Sequence, residues 1–305
     1  MSPLAALWLC LVITAFSPII GKYAMPVVHP VVLVLMGSVT AVFYFAPAIT
    51  RKKLWGALFD KKTLPLFLVM ATFGTALPFS ILLYSLNYTT PANASILNQT
   101  EIIYSLILTS ILLKERPTPG QLGGSALVVL GVVIILFNEH MTPRWTGDLI
   151  VVGSVWLFQI SHIAAKKLPP GLDYHLISMA RNFWALPATL IMILIFLPGG
   201  KLFFTPNLQG WLVVAATGIF KYGLAMTLWY TAIRNIDLSK VTAIILSYPA
   251  FSFVLSVLFG FETPHAYQIA GLILTFAGAF WVTRVVKKQN RKAAQKEMET
   301  AEEAA

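Results

Sequence analysis

Cysteine is nearly absent from this chain. Cys10 is the only one in 305 residues, which excludes a disulfide framework and a cysteine-rich metal centre. Charge is scarce as well, at 11% of residues, where a soluble domain carries about 25%. Enzyme signatures are missing: no HExxH, GxSxG, Walker A or GxGxxG pattern occurs, and no Asp-rich metal motif. Catalytic, cofactor and metal sites are therefore not expected, and without an ATP site any work must draw on gradients or exchange. No basic n-region precedes the first apolar run, so a cleaved signal peptide is not expected either. That run is read as a retained helix.

Apolar sequence fills the chain instead. Hydrophobic residues make up 57% and the mean hydropathy is +0.77. They fall into about ten runs of roughly 17–25 residues, the length that crosses the ~30 Å hydrocarbon core of a bilayer as a helix. The predicted spans are 4–24, 30–50, 64–86, 91–113, 122–138, 147–166, 172–197, 210–233, 238–260 and 265–286. The expectation is an all-α membrane protein of ten transmembrane helices, embedded in lipid, with no room for a soluble domain.

The formal charge of +10 need not point to nucleic acid, because of where the cations sit. With the N-terminus inside, seventeen basic residues fall on the cytoplasmic side, among them Arg51, Lys52, Lys53, Arg234 and the cluster from Arg284 to Lys296. The other side holds only Lys22, Arg144 and Lys201. Short loops obey the positive-inside rule, so both termini are expected in the cytoplasm. Residues 287–305 form a basic, then acidic tail, expected as a short exposed helix or a disordered segment.

The two halves resemble each other. Glu115-Arg116-Pro117-Thr118-Pro119-Gly120-Gln121, followed by Gly124 and Gly131, returns 147 residues later as Glu262-Thr263-Pro264-His265-Ala266-Tyr267-Gln268, followed by Gly271 and Gly278. Ser17-Pro18-Ile19-Ile20-Gly21-Lys22 aligns with Ser161-His162-Ile163-Ala164-Ala165-Lys166, shifted by 144. Each half thus holds five spans, and an odd number forces the second copy to enter the membrane upside down. Inverted repeats of this kind build secondary transporters, with a site near the midplane between them.

On Lys22 and Lys166, the Tyr84–Ser95 segment and the repeat-closing Glu115…Gln121 and Glu262…Gln268, the chain resembles the drug/metabolite transporter superfamily, EamA type. The resemblance implies a first repeat over 4–138, a second over 147–286, and residence in the cell inner (plasma) membrane. Arg181 sits where that family often has an arginine, and Gly37 takes its place in the first repeat. Glu101 matches a family Glu-Pro pair whose proline is Ile102 here, while Tyr248-Pro249 keeps the proline and loses the acid.

A charge inside a bilayer is costly and faces the interior, a partner or water. Three lie near span centres: Glu101, Arg181 and Lys221. One carboxylate cannot neutralise two cations, so either a structural ion pair leaves a cation over, or an anionic substrate completes the balance. Asn98, Glu101 and Ser105 share a helix face by their spacing and are expected to wall a cavity. Asn93 and Thr109 are expected to stitch helices. Trp184, Tyr222 and Tyr248 lie near span centres, and with Tyr104 are candidates for an amphipathic lining. His162 is expected to pack or cap, and Gly123, Gly124 and Gly271 to bring helices close. The pair Glu139-His140 is weak evidence of chemistry.

The leading expectation is a secondary transporter that exports small amino-acid-like or carboxylate-bearing metabolites by alternating access. The alternative is exchange or uptake of a phosphorylated or dicarboxylic solute, using both Arg181 and Lys221. An intramembrane enzyme lacks a catalytic constellation, and a channel lacks a filter loop.

Overall fold

A computed structural model describes residues 1–24, 26–85, 88, 98, 100–114, 117–136, 145–196, 202–245, 247–258 and 266–303. Asn93, Glu115, Glu262, Glu139, His140 and most of the Tyr84–Ser95 segment lie outside them.

Among the described residues the architecture is helical. The first span is two helices, α1 (Pro3–Ala15) and α2 (Ser17–Ala24), broken at Phe16 just before Pro18, whose nitrogen has no proton to donate. The second span is α3 (Pro30–Arg51), close to the predicted 30–50. The third runs as α4 (Leu64–Ala71), a π-helical segment at Thr72–Ala76, and α5 (Leu77–Ser85). Next come α6 (Glu101–Leu112) and α7 (Pro119–Leu136). The second half opens with α8 (Trp145–Lys166) and α9 (Tyr174–Phe196). Its third span is α10 (Leu208–Ala216), a second π-helical segment at Thr217–Leu224, and α11 (Ala225–Ile233). The chain ends with α12 (Leu238–Ile245), α13 (Tyr248–Leu258) and α14 (Ala266–Glu303). The tail from 287 prolongs α14 as a continuous helix.

Five of these rods are long and apolar enough to cross a membrane: Pro30–Arg51, Leu64–Leu82, Leu149–Lys166, Tyr174–Ile195 and Leu208–Ile233. Their outer faces expose Phe43, Leu194 and Leu212, as lipid contact requires. The protein is a multi-pass membrane protein.

Packing reproduces the repeat. α9 crosses α4 and the first π segment, and α3 crosses the second π segment. α8 lies along α4 and α5, while α1 lies along α11. α7 runs along α14, joining the fifth span of one half to that of the other. Glycine sets that last distance: a Cβ on Gly278 would meet the Gly124 carbonyl oxygen at 2.6 Å, so the two backbones touch.

The two faces of the bundle are held differently. On the face of the termini, Lys52 pairs with Asp173, Arg234 Nη1 donates to the Ala165 carbonyl at 3.0 Å, and Trp184 Nε1 donates to the Leu58 carbonyl at 3.1 Å. On the opposite face the two loops pair by backbone. Val28 bridges Phe204, His29 N–H donates to the Phe203 carbonyl at 2.9 Å, and Thr205 N–H to the Val27 carbonyl at 2.7 Å.

Candidate functional site

The π segments position the centre. They begin at Thr72 and Thr217, 145 residues apart, so they are repeat-related. A π turn widens the helix and leaves its carbonyls imperfectly used. In the first segment Pro78 adds to this. It has no N–H for the carbonyl four residues back, which belongs to Gly74. Arg181 takes that carbonyl with Nη2, donates from Nε to Thr75 Oγ1 at 2.9 Å, and from Nη1 to Tyr230 Oη at 3.1 Å and Met226 Sδ at 3.0 Å. Four of its five N–H groups are thereby spent on neutral acceptors. Its neighbour Asn182 donates to the Tyr222 carbonyl in the second π segment at 3.2 Å. Adjacent residues of α9 thus clasp both irregular segments.

Lys221 is placed otherwise. Its Nζ lies 5.1 Å from the centre of the Phe79 ring and 5.9 Å from that of Tyr222. Among the described residues it has no carboxylate within ion-pair distance. It lines a cavity of about 150 Å³, together with Ile20, Val28, Leu33, Phe79 and Tyr222. The cavity lies in the half of the bundle away from the termini, between α2, the start of α3 and the second π segment. A water needs about 10–15 Å³ of such space, so a small organic solute fits. Cation–π contact is worth about 0.5–2 kcal/mol and offsets only part of the cost of an ammonium out of water. A negative group in this cavity would offset the rest of that cost.

Glu101 pairs with neither cation. It is 8% exposed at the start of α6 and accepts from Gln159 Nε2 at 2.8 Å. His162 Nδ1 stands 3.8 Å from Glu101 Oε1, and its ring lies against Trp229 with centroids 4.7 Å apart.

The remaining sequence candidates divide. Tyr222 lines the cavity. Asn98, one turn before Glu101, has a buried Oδ1 with no partner among the described residues. Tyr104 donates to the Val152 carbonyl at 3.0 Å, a link between α6 and α8. Trp184 packs on Phe59 and Phe183 and gives its N–H to Leu58, so the structure places it in the closure at the termini. Thr109 bonds its own helix at Ser105 rather than a neighbouring one, because a threonine hydroxyl reaches the carbonyl four residues back. His162 packs on Trp229 as expected but also faces Glu101. Gln159 and Asn182 escaped the sequence reading. The signal for Gln159 was a lone amide inside the apolar run of α8.

Inverted helical repeats around a polar, membrane-buried centre define the class of secondary transporters. Both halves match the EamA-like transporter family, over residues 2–137 and 145–284, and the chain belongs to that family. It is a transporter, not an enzyme. Among relatives, an uncharacterized transporter of Archaeoglobus fulgidus is 26% identical over 289 residues, 91% of this chain and 98% of its own. The uncharacterized transporter YetK of Bacillus subtilis is 29% identical over 259 residues, 80% of this chain and 72% of its own. A probable terminal-alkyne amino-acid exporter of Streptantibioticus cattleyicolor is 23% identical over 203 residues, 66% of each chain. A solved crystal structure matches with a TM-score of 0.79 over 93% of this chain and 97% of that one, at 16% identity, a likeness of fold.

Proposed function

We propose that this transporter exports small carboxylate-bearing metabolites, amino-acid-like compounds among them, and that Lys221 reads the carboxylate. The observation that carries the proposal is the cation itself. Lys221 faces a largely apolar cavity, is held by two aromatic rings and has no carboxylate within ion-pair distance among the described residues. The apolar wall of Ile20, Val28 and Leu33 suits a substrate with a hydrocarbon body. A more strongly anionic solute would need Arg181 too, and four of the five donors of Arg181 are already engaged. The outward direction is supported by the relative named a probable amino-acid exporter. The skew of basic residues supports cytoplasmic termini. On that orientation the cavity lies in the outer half.

Purified protein in liposomes tests the reading. Saturable counterflow of radiolabelled short aliphatic amino or carboxylic acids is expected. Ohmic current without counterflow would make the protein a channel, and no counterflow of any acid would remove the proposed substrate class.

A further inference from the structure

The roof of the Lys221 cavity is a separate piece of packing. Ala24 and Val28 line the cavity, and with Val27 they pack on Val213 and Val214 of α10 in a small apolar cluster apart from the main core. Above it, residues 26–29 meet residues 203–205 through backbone groups: the Val28–Phe204 bridge, His29 N–H to the Phe203 carbonyl, and Thr205 N–H to the Val27 carbonyl. Gln209 Nε2 adds a bond to the Tyr23 carbonyl at 2.9 Å. A short backbone seam over a small apolar cluster is the kind of contact that opens locally, without unfolding the core.

His29, in this seam, is placed badly for a charge in three ways. It is the N-cap of α3, where the helix dipole opposes a cation. Its ring stands edge-on to Phe203, with centroids 5.8 Å apart. Its Nδ1 is buried with no partner among the described residues, so protonation would make it a buried donor without an acceptor. No carboxylate compensates: α2, α3, the 203–205 loop, α10 and the second π segment contain no Asp or Glu. Their titratable groups are Lys22, Tyr23, Tyr44, Arg51 at the far end of α3, Lys221 and Tyr222. The side chains of Lys22 and of nearby Lys201 lie outside the described residues, and as cations they only add repulsion. We propose that residues 26–29 form a lid over the Lys221 cavity that acid opens, with His29 as its titrating latch. His29 lies between the first two spans, and burial holds its imidazole below the ordinary range while the seam is closed. Once freed, it regains a pKa of about 6.5. Above that value His29 is neutral in both forms and pH has no leverage. Below it the open form alone takes the proton, so falling pH favours opening until the closed form titrates too. One pH unit below the ordinary value this supplies up to about tenfold. Lid and latch need the cavity but not the identity of its solute, so they stand apart from the carboxylate reading.

Pulsed electron paramagnetic resonance tests the lid with no substrate present. Spin labels are attached at Pro26→Cys and Leu208→Cys, exposed positions on either side of the seam, in full-length protein in nanodiscs. Cys10→Ala removes the one native cysteine. With His29 intact, the population at longer distance should rise severalfold from pH 7.5 to pH 5.5. His29→Gln, neutral at both values, should hold that population constant within twofold. His29→Lys, charged at both, should already be open at pH 7.5. His29→Phe, which keeps a ring against Phe203, serves if His29→Gln does not fold. A distance distribution that ignores pH with His29 intact overturns the lid. So does a pH response that survives loss of the imidazole, or a His29→Lys protein that stays closed at pH 7.5.

Discussion

Two crossings related by the internal repeat have been given opposite fillings. Where α9 crosses the first π segment, Arg181 fills the contact and ties Gly74, Thr75 and Tyr230 together. Where α3 crosses the second, the related position is Gly37, and the Tyr222 ring occupies the space a side chain would take. A Cβ on Gly37 would come within 2.9 Å of Tyr222 Cε2 and 3.1 Å of a Thr217 methyl. The first crossing is locked by a cation that is used up. The second is closed by an aromatic ring beside a cation that is not, and the cavity opens there. One backbone symmetry thus carries two arrangements, a clasp at one crossing and a cavity at the other.

The largest effect should come from breaking the locked crossing. Arg181→Ala leaves the Gly74 carbonyl, Thr75 and Tyr230 without their donor, at about 1–3 kcal/mol for each buried orphan. A loss of about 3 kcal/mol or more is expected in thermal unfolding of the detergent-solubilised protein. Arg181→Lys should recover only part of it, because one ammonium cannot span the same fork of acceptors. A variant that unfolds like wild type would show that the clasp is dispensable.

The open crossing should be less costly to disturb and more costly to function. Gly37→Val overpacks Tyr222 and Thr217, at about 1–3 kcal/mol. The displaced ring should weaken substrate affinity severalfold in counterflow, whereas Arg181→Lys should change stability more than affinity. If Gly37→Val alters stability alone, Tyr222 does not shape the cavity.

The smallest effect belongs to the closure at the termini. Burial alone would raise the pKa of Asp173, but the hydrogen bonds from Lys52 and from the His175 backbone N–H outweigh it and hold the carboxyl below its ordinary range. A lowered folded-state pKa stabilises above the unfolded value of about 3.9 and is lost as pH falls through the folded value. Asp173→Asn should therefore cost under about 1 kcal/mol, as for other partly exposed pairs, and by the same amount from pH 5 to 8. The difference from wild type should shrink only in stronger acid. A difference that changes between pH 6 and 8 would mean that a group other than Asp173 governs this contact.

Much of this architecture was legible. Uninterrupted apolar runs predicted the second span at 30–50, and Pro30–Arg51 forms it. Shifts of 144 and 147 residues exposed the repeat before any contact was known. The π segments were not legible. Pro78 explains the freed Gly74 carbonyl, but the second segment has no proline, and only its close packing against Gly37 and Thr40 sets it apart. Pairing was opaque for the same reason. Arg181 and Gly74 are 107 residues apart, and nothing local to either says that a cation will be spent on neutral oxygens. Glu101 read as a partner for a cation, yet Gln159, 58 residues on, takes that place. Trp184 lay near a span centre by count, and only the neighbouring Leu58 and Phe59 show that it belongs to a closure.

The division of labour between the two cations is tested most directly by asking which of them reads a negative group. Counterflow affinities of leucine and leucinamide, in which a neutral amide replaces the carboxylate, would be compared at a pH low enough to keep both amines protonated, in wild type, Lys221→Met and Arg181→Lys. Wild type should prefer the acid by about tenfold or more, equivalent to about 1.4 kcal/mol. Lys221→Met should lose that preference, and Arg181→Lys, though less stable, should keep most of it. The reverse pattern, with the preference intact in Lys221→Met and lost in Arg181→Lys, would contradict the account.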